Sequence, residues 1–344
     1  MCTRVLWPEA GGSVLVGRNM DFASDLLTNL WVQPRGIERD DAVEGELTWT
    51  SKYGSVVAGA YDITTADGLN EAGFGAHLLW LAESDYGNPP ESGTRLNISV
   101  WMQYYLDNFA TVAEAVEWTE RTNVGIVPMK NPTGGKDPAL HLAIEDSSGD
   151  SAIIEYVDGK PKVYHSKDYW VMTNSPTFDK QLEYVKEITG LGGDKPIPGS
   201  TDARDRFDRA SYYVTRLAKP KTQLEGVAAM FSVIRNAAQP FREPDPGKPE
   251  ASQTLWQVVL DLTNKRYIYE STTAPNIVWV DFKDLDFSAG APQKKLDLVN
   301  HHGLGEGSYS GDVSADFEEG TLTFFSQKIE AELAAAAKAQ AENE

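Results

Sequence analysis

The sequence predicts an α+β protein whose sheets are antiparallel. Segments of β-type composition and segments with helical periodicity come in separate blocks, in the order strands, helices, strands, helices, strands. Short turn sequences join neighbouring β segments, as antiparallel hairpins require. A doubly wound parallel sheet would instead alternate strand and helix along the whole chain. The block order therefore favours layers of antiparallel sheet and helix.

The first block contains four predicted strands, at 3–7, 13–16, 55–61 and 73–80. The turn sequence Pro-Glu-Ala-Gly-Gly at 8–12 joins the first two. We therefore expect an N-terminal hairpin that places Cys2 at the mouth of a sheet.

The later blocks follow the same logic. Apolar residues at helical spacing predict a helix over 99–108, and Thr111 with Glu114 forms a capping box that opens a second helix. A meander of antiparallel strands is predicted at 140–145, 152–157, 163–165 and 169–172. Two helices, at 203–218 and 223–236, precede the last strands, at 255–262, 266–270 and 277–281.

The predicted domain organisation is one domain followed by a tail. No segment rich enough in Pro, Gly or Ser to act as a linker divides residues 2–326, although 190–199 and 239–248 are expected to be long surface loops. Residues 327–344 are Ala-rich and contain strong helix formers with little apolar face. We expect them to be a frayed end or an arm that contacts a partner.

The charge of the chain limits its partners. Its 344 residues include 51 acidic and 31 basic side chains, for a net charge of −20. Such a charge repels polyanions, so nucleic-acid binding is not expected. The sequence contains no apolar run of about 18 residues, so no membrane span is expected either.

The cellular compartment depends on the status of Met1. Polar and charged residues interrupt the first 25 positions, so they do not form a signal peptide. The chain as given is expected in the cytoplasm, but it would be periplasmic if Met1 replaces a removed leader. A single cysteine allows no internal disulfide, which fits either compartment.

The single cysteine is the strongest functional signal. Removal of Met1 would make Cys2 the N-terminal residue, a nucleophile that carries its own base, since an α-amine titrates near pH ~8 and a thiol near ~8.5. Arg18 and Asp21 end the second predicted strand, which the hairpin returns to Cys2. A guanidinium favours the thiolate and a carboxylate can hold the amine. The alternatives are a small buried apolar cysteine and an ordinary ion pair.

Five motifs resemble the choloylglycine hydrolases, the N-terminal-nucleophile amidases that include penicillin V acylases and conjugated bile salt hydrolases. They are CTR at 2–4, GRNMD at 17–21, DGLNEAG at 67–73, MTNSPTF at 172–178 and DRF at 205–207. Three further segments resemble the penicillin V acylases of Gram-negative type: TSKYGSV at 50–56, LWLAES at 79–84 and SSGDSAIIEY at 147–156.

The resemblance implies a four-layer αββα fold, no cofactor, and attack by Cys2 on a linear amide. By the same resemblance, Arg18 and Asp21 flank the nucleophile, Asn174 offers its side-chain amide to the oxyanion, and Arg206 completes the charged cluster. A tetrahedral intermediate needs such preorganised donors. The sequence pattern alone favours a turn residue at Asn174 and a surface charge at Arg206, and Arg209 remains an alternative to Arg206.

Two aromatic residues are expected to line the acyl pocket. Bile salt hydrolases carry Asn where this chain has Trp80, so here the backbone N–H would serve the oxyanion and the Trp80 ring would wall the pocket. Phe22, next to Asp21, is expected in the same pocket. Bulky aromatics favour a flat or linear acyl group over a steroid. Simple core packing of Trp80 is the alternative.

The sequence thus predicts a hydrolase of small N-acylated amines that needs neither metal nor cofactor. Penicillin V is the expected assay substrate, N-acyl homoserine lactones are the natural alternative, and the resemblance implies a tetramer. Bile salt hydrolysis, or a silent αββα binding scaffold with Met1 retained, are the competing interpretations. His77 is expected to be a hydrogen-bonded core residue, and His301 with His302 a surface pair rather than a metal site.

Overall fold

The protein is built around two large β-sheets. The computed structural model describes residues 1–40, 47–88, 93–130, 137–242, 252–274 and 276–325. Its strands are β1 (Cys2–Ala10), β2 (Ser13–Phe22), β3 (Leu30–Gln33), β4 (Glu38–Asp40), β5 (Thr48–Thr50), β6 (Ser55–Ala60), β7 (Thr64–Asn70), β8 (Phe74–Trp80), β9 (Arg95–Asn97), β10 (Gly125–Val127), β11 (Leu140–Asp146), β12 (Ser151–Val157), β13 (Lys160–His165), β14 (Val171–Met172), β15 (Gln253–Asp261), β16 (Arg266–Ser271), β17 (Ile277–Asp281), β18 (Lys294–Leu296), β19 (Gly311–Asp312) and β20 (Glu318–Glu319).

Five α-helices accompany these strands in the described parts of the chain. They are α1 (Trp101–Asn108), α2 (Val112–Thr122), α3 (Phe178–Val185), α4 (Ala203–Val214) and α5 (Gln223–Asn236). The predicted capping box opens α2: Thr111 accepts from the backbone N–H of Glu114, and the Glu114 side chain accepts from that of Thr111. None of the helices in these residues has the length and apolar character that crossing a membrane requires.

The first sheet contains seven strands in the order β14-β1-β2-β15-β16-β17-β19. The predicted hairpin forms its second and third strands, which are both internal, and within it Cys2 pairs with Met20 and Arg4 with Arg18. Strand β15 then pairs with β2, placing Thr254 opposite Asp21, and the register shifts between Thr254 and Trp256. The start of the chain therefore lies in the middle of a sheet rather than at a free end.

The second sheet contains nine strands in the order β13-β12-β11-β8-β7-β6-β3-β18-β20. Helices α1 and α2 pack on its outer face, while α4 and α5 pack on the outer face of the seven-stranded sheet and α3 packs on α4. The sheets face each other between these helices. This is the predicted four-layer αββα arrangement, and the α+β prediction is confirmed.

Side chains alternate between the two faces of the second sheet, as strand geometry requires. On β8, Leu78 belongs to the cluster under α1 and α2, whereas Leu79 belongs to the cluster that the sheets share. His77, two residues before Leu79, therefore points between the sheets. The polar chemistry described below lies in this inter-sheet layer and at its mouth.

The prediction of a four-strand meander was wrong at its last strand. Strands β11, β12 and β13 do form an antiparallel meander. The chain then crosses to the other sheet, where β14 pairs with β1 and the backbone N–H of Leu6 donates to the Trp170 carbonyl. The local sequence of 169–172 cannot distinguish pairing with β13 from pairing with β1, because the same apolar residues suit a strand in either sheet. The crossing brings the segment after β14 beside Cys2.

Other differences concern element ends and short elements. Helix α4 ends at Val214, before the predicted end at 218, and the short helix α3 was missed. Strand β7 was also missed, although it contains most of the DGLNEAG motif. The predicted tail at 327–344 and the later part of the predicted 239–248 loop lie outside the described residues, and the single-domain prediction stays a prediction.

Candidate active site

Cys2 is the first residue of β1 and is only 4% exposed. Its thiol points toward the inter-sheet layer, where Sγ lies 3.7 Å from the Sδ atom of Met20 on the paired strand. Because Met1 precedes it, the nitrogen of Cys2 is here a peptide nitrogen. That atom marks where the free α-amine would lie after removal of Met1.

Arg18 lies beside the thiol. Its Nη2 is 3.7 Å from Cys2 Sγ and donates to the Leu78 carbonyl at 2.6 Å, while Nη1 is 3.4 Å from Asp67 Oδ2. The guanidinium also lies over the Trp256 ring, 5.0 Å from its centroid. Arg18 thus places a fixed positive charge beside the sulfur in a buried site.

Asn174 and Arg206 hold the backbone of the nucleophile from the other side. The Cys2 nitrogen donates to Asn174 Oδ1 at 2.6 Å, and Arg206 Nη2 donates to the same oxygen at 2.7 Å. Arg206 Nη1 donates to Thr3 Oγ1 at 2.7 Å and to the Cys2 carbonyl. Arg206 is fully buried. The guanidinium thus links α4, β1 and the segment after β14.

Asp21 faces the α4 side of the sheet. Its carboxylate accepts from Thr254 Oγ1 at 2.6 Å and from Gln239 Nε2 at 2.9 Å, and it lies 3.6 Å from Arg206 Nη1. The Met1 amine donates to the backbone carbonyl of Asp21 at 2.5 Å. The expected contact of the Asp21 carboxylate with a free α-amine at Cys2 stays a prediction, since Met1 is present here. Burial is the largest influence on the Met1 amine and lowers its pKa below 8.0.

The structure distinguishes the two candidate arginines of α4. Arg206 contacts the nucleophile, as described above. Arg209, one turn later, donates to the carbonyls of Pro198, Ser200 and Asn236, all of which are loop or helix-end groups. The geometry therefore places Arg206 in the charged cluster and Arg209 outside it.

The end of β8 presents backbone groups to the same place. Leu81 N donates to the Ala139 carbonyl, so Trp80 and Leu140 form the next, non-hydrogen-bonded pair, and the Trp80 N–H points away from β11. The recorded pairing of β8 with β7 reaches only His77, which leaves the far edge of β8 open there. The Trp80 N–H therefore points to this open side of β8.

The Asn174 side chain lies beside the end of β8. Its Nδ2 donates to the Trp80 carbonyl at 2.6 Å. An amide NH₂ carries two hydrogens, so this bond leaves one for another acceptor. Asn174 Nδ2 thus contacts Trp80, the residue whose backbone N–H is the other donor expected at an oxyanion hole.

An apolar cavity of about 140 Å³ opens at the thiol. Phe22 and Trp80 line it as expected, and both are partly exposed there. The other lining residues are mostly apolar; they include Leu26, Tyr61, Ile63, Ala66, Met129, Pro138 and Leu140. Met1 also lines the cavity, so its removal would enlarge the space next to Cys2.

All the predicted site residues therefore converge on one region. The charged cluster contains Cys2, Arg18, Asp21, Asn174 and Arg206, and the cavity contains Phe22 and Trp80. Gln239 and Thr254, which hold Asp21, were not predicted, and no local sequence signal marks them. Asp67, the partner of Arg18, was also missed, although it begins the DGLNEAG motif quoted above.

The groups considered as metal ligands lie elsewhere. His301 and His302 are exposed, and each Nδ1 lies near a backbone carbonyl, of Gly307 and Val299 respectively, so the surface-pair prediction is confirmed. Among the described residues, one acidic group, Asp281 with Asp284 and Asp312, has ligand atoms within 4.8 Å of one another. The Asp281 carboxylate already forms an ion pair with Arg266. This cluster belongs to no cavity described here.

A buried cysteine at the start of a central strand, with charged and amide partners inside an αββα fold, defines the class to which the protein belongs. The chain belongs to the linear amide C–N hydrolases of the choloylglycine hydrolase family, whose profile matches residues 2–298. It is therefore a hydrolase that acts on the carbon–nitrogen bond of linear amides in small molecules, and the predicted family and enzyme class are confirmed.

The similarity of the chain to individual members of this family varies. Penicillin V acylase of Pectobacterium atrosepticum is 43% identical over 92% of this chain and 90% of its own length. A solved structure of penicillin V acylase from Agrobacterium tumefaciens has 43% identity and a TM-score of 0.85, covering 94% of this chain and 99% of its own. Bile salt hydrolase/transferase of Clostridium perfringens is 26% identical over 69% of this chain and 79% of its own. Similarity is thus higher to these penicillin V acylases than to that bile salt hydrolase.

Proposed function

We propose that the protein is an N-terminal cysteine acylase that removes an aryl or alkyl acyl group from a small amine. The observation that carries the proposal is the position of Cys2 Sγ, between the Arg18 guanidinium and the mouth of a mostly apolar cavity. The nucleophile is proposed to act after removal of Met1, when its own α-amine becomes free.

The α-amine of Cys2 would serve as the base. It would replace the peptide nitrogen that Asn174 Oδ1 now accepts from at 2.6 Å. Burial lowers the pKa of the amine that stands at Met1, and an amine buried one residue further would be subject to the same effect. A lower pKa increases the fraction of the amine that is unprotonated and ready to accept the thiol proton.

The reaction then has two steps. In the first, Sγ forms a bond to the amide carbon, the carbonyl oxygen becomes an oxyanion, and the proton passes through the amine to the leaving nitrogen as the C–N bond breaks. In the second, water gives a proton to the same amine and attacks the thioester, which releases the carboxylate and restores Cys2. Asn174 Nδ2–H and Trp80 N–H are proposed to stabilise the oxyanion in both steps.

The size of the cavity favours a flat or slender acyl group. An apolar cavity of about 150 Å³ accommodates a benzene ring. The space of about 140 Å³ beside Cys2 is similar, and loss of Met1 would add to it. A phenoxy group or an alkyl chain fits such a volume, whereas a steroid does not. Penicillin V is therefore the first substrate to test, and N-acyl homoserine lactones, with an acyl arm of the same kind, are the second.

The test is penicillin V hydrolysis by the wild type and by Cys2→Ala, with intact masses recorded. We expect the wild type to have lost Met1 and to release 6-aminopenicillanic acid, and the variant to be inactive. Glycocholate is the comparison substrate and should be cleaved much more slowly. Activity that persists in Cys2→Ala, or a wild type that lacks Met1 and cleaves no linear amide, would refute the proposal.

Two further parts of the proposal concern assembly and location. The tetramer rests on the resemblance to the family, and light scattering after size-exclusion chromatography tests it. The compartment is proposed to be the cytoplasm, and fractionation of the cells that produce the protein tests it.

A further inference from the structure

A chain of buried ionisable side chains runs from the nucleophile through the space between the two sheets. Each of its members is fully buried, and in order from Cys2 they are Arg18, Asp67, His77, Glu145 and Arg4. The steps proposed above use Cys2 and Arg18 alone. The remaining four groups cost free energy to bury, so their role needs a physical explanation.

His77 is the centre of this inter-sheet network. Its Nδ1 contacts Asp67 Oδ2 at 2.5 Å, and its Nε2 contacts Glu145 Oε1 at 2.6 Å. A neutral imidazole has one N–H and one lone pair, so one of the two carboxylates would face a lone pair. An imidazolium donates to both. The geometry therefore fits the protonated ring.

The pKa shifts of His77 and Glu145 also favour the protonated ring. Burial alone would lower the pKa of His77, but the charges of Glu145 and Asp67 outweigh burial and raise it above 6.5. Burial alone would raise the pKa of Glu145, but Arg4 and His77 lower it to about 2. Both shifts therefore favour the imidazolium form of His77, as the geometry does, beside an ionised Glu145.

The network then carries one excess positive charge. Two guanidinium groups and one imidazolium face two carboxylates, Asp67 and Glu145. Tyr267, from β16, donates its hydroxyl to Asp67 Oδ1 at 2.6 Å and stays neutral, since burial raises the pKa of its phenol well above 10.0. A thiolate at Cys2 would make the whole chain of groups neutral. A neutral His77 would remove this reason for the thiolate to form.

Backbone register builds the network. Asp67 and His77 are direct cross-strand partners on β7 and β8, and Ala143 of β11 lies opposite His77. Glu145 is two residues further along β11, opposite Gly75. A Cβ atom at Gly75 would lie 2.3 Å from Glu145 Oε1, so the absence of a side chain there gives the carboxylate room to reach the imidazole.

We propose that His77 is a positioning residue for the nucleophile. As an imidazolium it fixes the carboxylate of Asp67, which in turn holds Arg18 against the thiol. It also supplies the excess charge that a thiolate at Cys2 neutralises. This inference rests on the proposed function only in taking Cys2 as the nucleophile, and it can be tested without a substrate.

The test measures alkylation of Cys2 by iodoacetamide against pH, in protein whose mass shows loss of Met1. Because the chain has one cysteine, the rate reports on that thiol alone. His77→Gln keeps hydrogen-bonding groups but loses the charge. We expect it to raise the midpoint of the alkylation-rate profile by about one pH unit, which corresponds to about tenfold slower alkylation at pH 7. For amide hydrolysis, kcat should fall by a similar factor with KM within about twofold.

His141→Gln is the matched control. His141 is buried in the same sheet and bonds to Glu155 at 3.1 Å and to the Thr173 carbonyl at 3.0 Å, outside the network. It should lose stability as His77→Gln does but keep the wild-type alkylation midpoint. His77→Lys, which restores a positive charge without the ring, should recover part of the shift.

The outcomes separate this inference from the proposed function. An unshifted alkylation midpoint in His77→Gln, with amide hydrolysis by the wild type, overturns the role of His77 and leaves the function intact. A shifted midpoint without hydrolysis of any linear amide supports the network and refutes the function. A shift of equal size in His141→Gln would show a general effect of destabilisation and overturn the inference.

A second measurement applies if His77→Gln does not fold. The chain has five histidines, so replacing the other four, His141, His165, His301 and His302, by Gln leaves the ring of His77 as the sole imidazole in long-range ¹H–¹⁵N spectra. We expect both nitrogens to carry protons at pH 8. A neutral tautomer at that pH would overturn the proposal.

Discussion

Arg206 is the residue whose replacement tests the architecture of the site most directly. The proposed change is Arg206→Lys, which keeps a positive charge near Asp21 but replaces a planar fork by a point charge. The guanidinium donates to Asn174 Oδ1 at 2.7 Å, to Thr3 Oγ1 at 2.7 Å and to the Cys2 carbonyl. An ammonium cannot reach these three acceptors in the same geometry.

The expected magnitude follows from these contacts. Removing one partner of a buried ion pair costs about 3–5 kcal/mol, and because lysine keeps the charge we expect a loss of unfolding free energy near the lower end, about 3 kcal/mol. Asn174 Oδ1 also loses one of its two donors, which leaves only the Cys2 nitrogen to fix its position. A misplaced oxyanion donor costs about 100-fold in rate, so kcat/KM should fall by about that factor, mostly through kcat.

The assay is 6-aminopenicillanic acid release combined with urea unfolding. Arg209→Lys is the matched control: Arg209 lies on the same helix and, within the described part of the chain, donates to the carbonyls of Pro198, Ser200 and Asn236. It should lose some stability and keep kcat/KM within about threefold, a margin of about 0.7 kcal/mol. If Arg206→Lys keeps wild-type activity, or both variants lose activity equally, the assignment of Arg206 to the cluster is refuted.

Two other predictions concern the pocket and the pH response. Trp80→Ala removes an aromatic wall of the pocket but keeps the backbone N–H and carbonyl. We therefore expect kcat/KM for penicillin V to fall by about tenfold and the preference among N-acyl homoserine lactones to shift to longer chains. Competition assays measure that preference, and an unchanged chain-length selectivity would contradict a role of the ring in the pocket. The pKa of Glu145 is lowered to about 2 from its ordinary 4.5, because the charges of Arg4 and His77 outweigh the effect of burial. Ionisation of Glu145 therefore stabilises the folded protein fully above pH 4.5, and this contribution is lost as the pH falls toward 2. Urea unfolding between pH 6 and pH 3 should therefore show a decline in the free energy of unfolding, of which about 2 kcal/mol comes from Glu145 and is absent in Glu145→Gln. Equal slopes for the two proteins would show that Glu145 is not held by these charges.

The hairpin shows how far local pattern reaches. Alternating strands joined by a Gly-Gly turn predicted that Arg18 and Asp21 return to Cys2, and the register of β1 and β2 has this arrangement. Hairpin register follows from residues close in sequence, so it can be derived without knowledge of the rest of the chain. Local pattern also predicted α2 correctly, since a capping box acts within one helical turn.

The crossing at β14 shows where local pattern fails. The segment 169–172 has the composition of a strand in either sheet, and its pairing with β1 is a long-range choice. That choice brings Asn174 to the nitrogen of Cys2, a contact that joins residues 172 positions apart. Only the resemblance to a known family, not the pattern of the chain, indicated that role for Asn174.

The sequence by itself determined the class of fold, the single thiol, the charges of the N-terminal hairpin and, through its motifs, the family. Tertiary structure alone decided which arginine of α4 reaches the nucleophile and which buried groups share its charge. Arg206 and Arg209 are one turn apart on the same helix, so their difference depends on how α4 packs on β1. His77 contacts Asp67 and Glu145 because three strands place side chains on one face of a sheet. Electrostatic interactions depend on distance in space, and that distance is fixed only when the sheets pack.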